Sequence, residues 1–175
     1  MEQPFVITGR QHISLRPLTL ADTAALATIA NDPSIGPFVR DLFPHPYTLT
    51  HARDFLKVVA ESTRLHCWGI FEQGSLAGVI SLTQQEDIYR HTAEIGYWLG
   101  SPFRGKGIIT EAIKLVCQYG FNQLNIIRIF ANVFEHNKAS YKALLKNGFE
   151  QEGIRKKGVI KNKELVNEYV MAKIK

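Results

Sequence analysis

Apolar and polar positions alternate along this 175-residue chain in short runs punctuated by Gly, Pro and Asn, and between those runs the period lengthens to that of a helix. The first run, Ile-Ser-Leu-Arg-Pro at residues 13–17, predicts a strand. Thr19 and Asp22 then make a capping-box-like start for a helix ending near Asn31-Asp-Pro33. Residues 33–47, rich in Pro and Phe, read as irregular, and Thr50 opens an amphipathic helix to about Glu61. Strands over 66–71 and 76–83 flank a Glu-Gln-Gly turn. A strand over 93–99 leads through a glycine-bearing loop into a helix from about 107 to 123. In that helix Ile109, Ala112, Ile113, Val116 and Gly120 share one face, while Thr110, Glu111, Lys114 and Gln118 share the other. A strand near 128–134, a helix over 137–147 closed by Gly148, and two last strands complete the series. The order β-α-α-β-β-β-α-β-α-β-β predicts an α/β (α+β) fold, a mixed and mostly antiparallel sheet with helices on both faces. Length and the absence of a linker or repeat predict one domain over residues 1–175.

The loop after the 93–99 strand carries the most chemical information. Gly105 and Gly107 lie two apart, with Arg104 and Lys106 on either side of Gly105. A strand that bends through glycines into a helix N-terminus aims several backbone N–H groups, and the positive end of the helix dipole, at one point. Such a point suits a phosphate. The spacing is not that of a nucleoside-triphosphatase P-loop, since no second glycine precedes Lys106 at the required interval. It is not Gly-x-Gly-x-x-Gly either, since the third position after Gly107 is Thr110. Taken alone, Gly-Lys-Gly is equally compatible with a plain tight turn.

The surrounding residues narrow the choice. Glu94-Ile-Gly-Tyr-Trp-Leu99 in the strand, Arg104-Gly-Lys-Gly107 in the loop and Thr110-Glu-Ala112 in the helix resemble the acyl-CoA-binding motif of the GNAT superfamily of N-acetyltransferases. The resemblance is to the branch of ribosomal-protein N-terminal (Rim-type) enzymes in particular. A second block, Asn137-Lys-Ala-Ser140 followed by Lys146-Asn-Gly-Phe149, resembles the family's other CoA-side motif, in the expected order. One departure is Pro102, where the general pattern often has Gln or Arg.

The resemblance implies acetyl-CoA as cosubstrate and transfer of its acetyl group to a primary amine in a ternary complex. It implies that backbone N–H groups from Arg104 through Gly105, Lys106 and Gly107 to Ile108 hold the pyrophosphate, with Arg104 and Lys106 adding charge. A side chain at Gly105 or Gly107 would obstruct that approach or the dihedrals it needs. It further implies that Tyr97, Trp98 and Leu99 pair with the pantetheine amides and aim a backbone N–H at the thioester oxygen. Asn137 would contact pantetheine, and the Ser140 hydroxyl would lie near the sulfur as the proton donor to the thiolate. Read without the resemblance, Asn137 is a helix cap and Ser140 a capping-turn hydroxyl. Many members of the family carry a tyrosine where this chain has Leu144, and Tyr141 projects about 100° away from Ser140 around the helix.

Glu94 is the candidate base. It interrupts an apolar strand on the same face as Gly96 and Trp98, and a carboxylate desolvated there would be suited to accept a proton through a water. A structural Glu bonded to a neighbouring strand is the alternative. Glu135 and His136 are further candidates, whereas a carboxylate placed five residues before Asn137, as in some family members, is excluded because that residue is Asn132.

Composition adds boundaries. With 45% apolar and 21% charged residues the chain reads as a globular protein, with no run approaching the ~20 apolar residues of a membrane span, and Met-Glu-Gln-Pro does not read as a signal peptide. A cytoplasmic protein with no membrane partner is expected. Cys67 and Cys117 fall in apolar segments and are expected as buried free thiols, which argues against a covalent thiol route. The six histidines form no ligand spacing, so no metal is expected. The net charge of +5 gathers partly at Arg155-Lys-Lys157, Lys161 and Lys163, expected as a solvated hairpin or a site for an anionic partner. The expected acceptor is a protein N-terminus, ribosomal or other, and next a small-molecule amine, with a pocket built from residues 33–47 and the last hairpin. Direct nucleic-acid binding is not expected, and the chain is expected as a monomer or homodimer. A non-catalytic acyl-CoA sensor and a ribosome- or RNA-binding protein are the rival readings.

Overall fold

The computed structural model describes residues 6–10 and 12–175. Eight strands form a single sheet: β1 (Ile7–Thr8), β2 (Ile13–Arg16), β3 (Leu65–Glu72), β4 (Ser75–Gln84), β5 (Thr92–Leu99), β6 (Arg128–Phe134), β7 (Glu150–Lys161) and β8 (Glu164–Ile174), in the spatial order β1-β2-β3-β4-β5-β6-β8-β7. Every neighbouring pair is antiparallel except β5 with β6. Among the described residues four α-helices accompany it: α1 (Thr23–Ala30), α2 (Leu49–Glu61), α3 (Ile108–Gln123) and α4 (Lys138–Lys146).

Alternation along the strands sorts the side chains between two cores. On β3, Trp68 and Ile70 join Ala112, Ile113 and Val116 of α3, while Cys67 and Phe71 join Leu26 of α1 and Leu56 of α2. The sheet is thus covered on both faces, as its alternating strands predict.

Most boundaries fall within a residue or two of expectation, and two differences have a physical reason. β1 is an additional strand, only two residues long, too short to register as a periodic run. α2 begins at Leu49 rather than Thr50, because Thr48 is the cap: its Oγ accepts from the His51 N–H at 3.3 Å, and His51 Nδ1 accepts from the Thr48 N–H at 3.2 Å. A histidine here fills the place of the usual Glu or Gln in the capping box. The Thr19–Asp22 box does form, although it opens a short 3₁₀ turn, Leu20–Asp22, before α1.

The feature that positions the site is a separation within the sheet. β4 stays paired with β5 from Gln84–Ala93 as far as Gly78–Leu99. The parallel partner β6 is in register with β5 only at Thr92–Arg128, Ala93–Ile129 and Glu94–Phe130, after which β6 continues alongside β8 to Phe134. Beyond Glu94, therefore, β5 and β6 diverge and leave a gap between them. Gly78 keeps β4 close to the diverging strand: a Cβ there would lie 2.1 Å from the Trp98 carbonyl oxygen.

Candidate active site

The gap opens into a cleft of about 1220 Å³, larger than the roughly 300–1,000 Å³ of a typical small-ligand pocket. Gly105, Gly107 and Ser140 line one part of it; Phe38, Phe43 and Ile160 line another. The irregular segment 33–47 and the last hairpin therefore do meet at one cleft.

At the loop, Gly105 and Gly107 have φ of +76° and +78°, in the left-handed region that costs an ordinary L-residue about 1–2 kcal/mol. A Cβ at either position would meet no atom within 4 Å, so both glycines face open space. Gly107 is the N-cap of α3, and its carbonyl accepts the first helical bond from the Glu111 N–H at 3.1 Å. The N–H groups at the head of α3 are thus left for another partner, whereas the Arg104 N–H donates to the Ser101 carbonyl at 3.3 Å. Ile108 is buried by its side chain, so only its main chain can serve a ligand. Lys106 is half exposed and loosely held, with Nζ 3.5 Å from Glu72 and 5.6 Å above the Phe103 ring. Arg104 differs from expectation. Its Nε and Nη2 fold back and donate to the Leu99 carbonyl at 3.0 and 2.9 Å, so the guanidinium braces the strand end instead of standing free.

The strand end itself is selective. Because the Gly100 N–H donates to Ala77 of β4 at 3.0 Å, alternation turns the main-chain groups of Trp98 toward β4 and those of Tyr97 and Leu99 toward the gap. The Trp98 main chain is thus paired with β4, and its ring, which lines the cleft, packs edge-on to Phe43 at 5.6 Å on the α1–α2 side. The Leu99 carbonyl is occupied by Arg104, which leaves the N–H groups of Tyr97 and Leu99 as donors that can point into the gap.

Across the gap stands the first turn of α4. Asn137 caps it, its Oδ1 accepting from the Ser140 N–H at 3.1 Å, so its amide NH₂ is the part that can reach a ligand. The Ser140 hydroxyl lies 2.7 Å from the Tyr97 hydroxyl. Burial pushes the Tyr97 phenol well above its ordinary value, which keeps it protonated. Tyr141 points elsewhere, donating to Gln151 at 3.1 Å and packing edge-on to Tyr169. Leu144 is fully buried.

Glu94 lies on the opposite face of β5. Its carboxylate accepts from Arg40 at 2.9 and 3.1 Å and from Asn132 Nδ2 at 3.2 Å. Its side chain is 24% exposed, partly withdrawn from solvent. The pairing combines a neighbouring-strand bond with an ion pair to Arg40, whose side chain is 73% exposed. Glu135 is engaged by the backbone and side chain of Asn167 at 2.9 and 3.0 Å, and His136 donates to the Pro37 carbonyl at 3.1 Å.

Residues 12–150 match the family described as acetyltransferase (GNAT) domain. The chain belongs to the GNAT acetyltransferase family. It is an N-acetyltransferase that takes its acetyl group from acetyl-CoA. Among GNAT relatives it is 36% identical over 134 residues to the "Probable N-acetyltransferase YjcK" of Bacillus subtilis, covering 69% of this chain and 74% of the other. It is 32% identical over 123 residues to the ribosomal-protein-serine acetyltransferase of Escherichia coli, covering 67% and 68%. Among solved GNAT structures, the ribosomal L7/L12 α-N-protein acetyltransferase RimL in complex with coenzyme A superposes with a TM-score of 0.88 over 97% of this chain and 98% of that one, at 23% identity.

Within this GNAT frame, several partners had no signature in the sequence. Arg40 reaches Glu94 from 54 residues away, and Tyr97 reaches Ser140 from 43. A further carboxylate, Glu168, lines the cleft while paired with Arg155 at 2.9 Å. Lys161 is buried and donates to the exposed Asp41 at 2.6 Å, so the basic stretch expected as a solvated hairpin is divided between a half-buried ion pair and exposed lysines. Both cysteines are buried free thiols, each pushed up to about 12 by burial, and neither is available as a thiolate. Among the described residues no cluster of His, Cys, Asp and Glu is arranged to hold a metal ion, and no helix is long and apolar enough to cross a membrane.

Proposed function

We propose that the acceptor is the α-amine of a protein N-terminus, and that Glu94 and Ser140 serve the two proton transfers from opposite faces of β5. The observation that carries this reading is the gap beyond Glu94, with a carboxylate on one side and a hydroxyl at a helix N-terminus on the other. A thioester threaded through it, anchored by the glycine loop, would meet an amine arriving from the Glu94 side and release its sulfur toward α4. The ammonium first loses a proton to Glu94, directly or through a water. The free amine attacks the carbonyl carbon, and an N–H of Tyr97 or Leu99 stabilises the oxyanion. Ser140 then protonates the departing thiolate, which the positive end of α4 also favours.

Arg40 does not block this sequence. An ion pair so largely exposed contributes only about 0–1 kcal/mol, so an incoming ammonium can exchange with the guanidinium. Of the four described acidic residues that line the cleft, Glu94, Asp41 and Glu168 are paired with Arg40, Lys161 and Arg155, which leaves Asp54 as the carboxylate without an ion pair. The exposed apolar side chains at the rim, Phe38, Leu42 and Ile160, suit the first residues of a peptide. The name of the E. coli relative supports the same class of acceptor. One continuous sheet supports a single domain over residues 1–175.

Thiol release from acetyl-CoA, measured against N-terminal peptides, amino acids, polyamines and aminoglycosides with products identified by mass, tests the proposal. Turnover with peptides beginning in a free α-amine is the expected result. Turnover confined to polyamines or aminoglycosides overturns it.

A further inference from the structure

The 2.7 Å contact between the Tyr97 and Ser140 hydroxyls joins β5 to the first turn of α4 across the mouth of the gap. Ser140 has a single proton, and the geometry allows either oxygen to donate. If the serine donates to the phenol, its proton faces away from any leaving group. If the phenol donates to the serine, the serine proton is free to turn into the cleft. Only the second arrangement leaves the serine proton available to a leaving group, and it is the one that a proton-donating Ser140 requires. The Tyr97 ring packs against the core beneath α3 and α4, and the Ser140 N–H is fixed by Asn137, so both ends of the contact are held from behind.

We infer that Tyr97 is a positioning residue for the leaving-group step: its phenol donates to Ser140 Oγ and so directs the serine proton toward the departing sulfur. The inference rests on the reading of Ser140 as the proton donor. In the step, the C–S bond breaks as the carbonyl re-forms, and sulfur leaves with the bonding pair and takes the Ser140 proton. The serine oxygen recovers a proton from the phenol, and the phenol recovers one from solvent. The ammonium nitrogen loses two protons on becoming an amide, so one replenishes this chain and one is released. Burial holds the phenol above its usual range, so it remains the protonated partner through neutral and mildly basic pH.

A double-mutant cycle on the full chain tests this, using Tyr97→Phe, Ser140→Ala and their combination. The assay is thiol release from acetyl-CoA with a peptide beginning in serine. Tyr97→Phe keeps the ring, so its melting temperature should stay near that of the parent. Its kcat should fall about 10-fold with the KM for acetyl-CoA unchanged, and it should cause no further loss in the Ser140→Ala background. A loss that multiplies in that background, a change confined to KM, or an unchanged kcat overturns the positioning role. If Ser140→Ala itself turns over normally, the proton-donor assignment falls and this inference falls with it. If Ser140→Ala is slow and Tyr97→Phe is normal, only this inference falls. Should the parent chain ignore the serine peptide, the cycle is run with whichever N-terminal peptide it does acetylate; should it ignore them all, the acceptor proposal fails separately, and the cycle is read on the slow hydrolysis of acetyl-CoA by water, which releases the same thiolate.

Discussion

Replacing Gly105 by alanine separates the two tasks of the phosphate loop, holding its own shape and holding a ligand. With φ at +76°, the alanine variant pays the left-handed penalty of about 1–2 kcal/mol, and no steric term is added because its Cβ meets no atom within 4 Å. For a chain of this length about 1 kcal/mol corresponds to roughly 2–4 °C in Tm, so the fold should survive with a Tm lowered by about 2–8 °C. The loop can relieve the strain by turning the adjacent peptide, but that swings an N–H away from the phosphate position. One lost hydrogen bond to a charged group is worth about 1.5–3 kcal/mol, so CoA should bind roughly 10–150-fold more weakly. Calorimetry with CoA measures that loss, and turnover with acetylpantetheine, which lacks the pyrophosphate, supplies the control. Acetylpantetheine should be used equally well by parent and variant. CoA affinity within twofold of the parent, or an equal loss with acetylpantetheine, would refute the assignment of this loop to the pyrophosphate.

Other parts of the molecule make equally specific demands. Gly78→Ala should destabilise the chain by about 3 kcal/mol or more, since its Cβ would lie 2.1 Å from the Trp98 carbonyl oxygen and 3.0 Å from Leu99 Cα, both main-chain atoms that cannot simply rotate away; an unchanged urea midpoint would contradict the close approach of β4 and β5. Asp41→Asn leaves the buried Lys161 ammonium without its counter-charge and should cost about 1–2 kcal/mol, less than a fully buried pair because Asp41 is 78% exposed, and Lys161→Met in the same chain should restore part of the loss; additive losses in urea titrations would argue against the coupling. At Asp22, the Arg16 guanidinium holds the carboxyl below its ordinary 3.8, against the opposing effect of burial. The stabilisation is therefore present above 3.8 and lost as pH falls through the lower folded value, so Asp22→Asn should weaken the chain at neutral pH and differ little from the parent in strong acid; a difference that persists at low pH would show another origin.

The elements that proved legible in the sequence are those governed by local chemistry. Gly107 at the head of α3, Asn137 at the head of α4 and the alternating strand from Ala93 to Leu99 each announce themselves within a few residues, and the structure has all three. What escaped depends on residues distant in sequence. Nothing near Arg40 signals that it lies on Glu94, and Lys161 finds Asp41 across 120 positions. Alternation correctly placed the Trp98 ring on the Glu94 face, but the same alternation also sends the Trp98 main chain to β4, a consequence that needs the strand's neighbours to be known. Arg104 looks like a phosphate ligand in any one-dimensional reading. The carbonyl that captures it becomes visible only once the 3₁₀ turn at Ser101–Phe103 folds the loop back on the strand.

Among the described residues, the three residue pairs between β5 and β6 are the only strand pairing between two antiparallel blocks, β1 through β5 on one side and β6, β8 and β7 on the other. The glycine loop leads out of the first block and Ser140 follows directly from the second. On the reading proposed above, a bound cosubstrate bridges this seam as an extra, removable strand. Ligand present at 100 times its Kd would then raise the free energy of unfolding by about 2.7 kcal/mol. Supply of acetyl-CoA would in that case govern how long the enzyme survives in a cell as well as how fast it works.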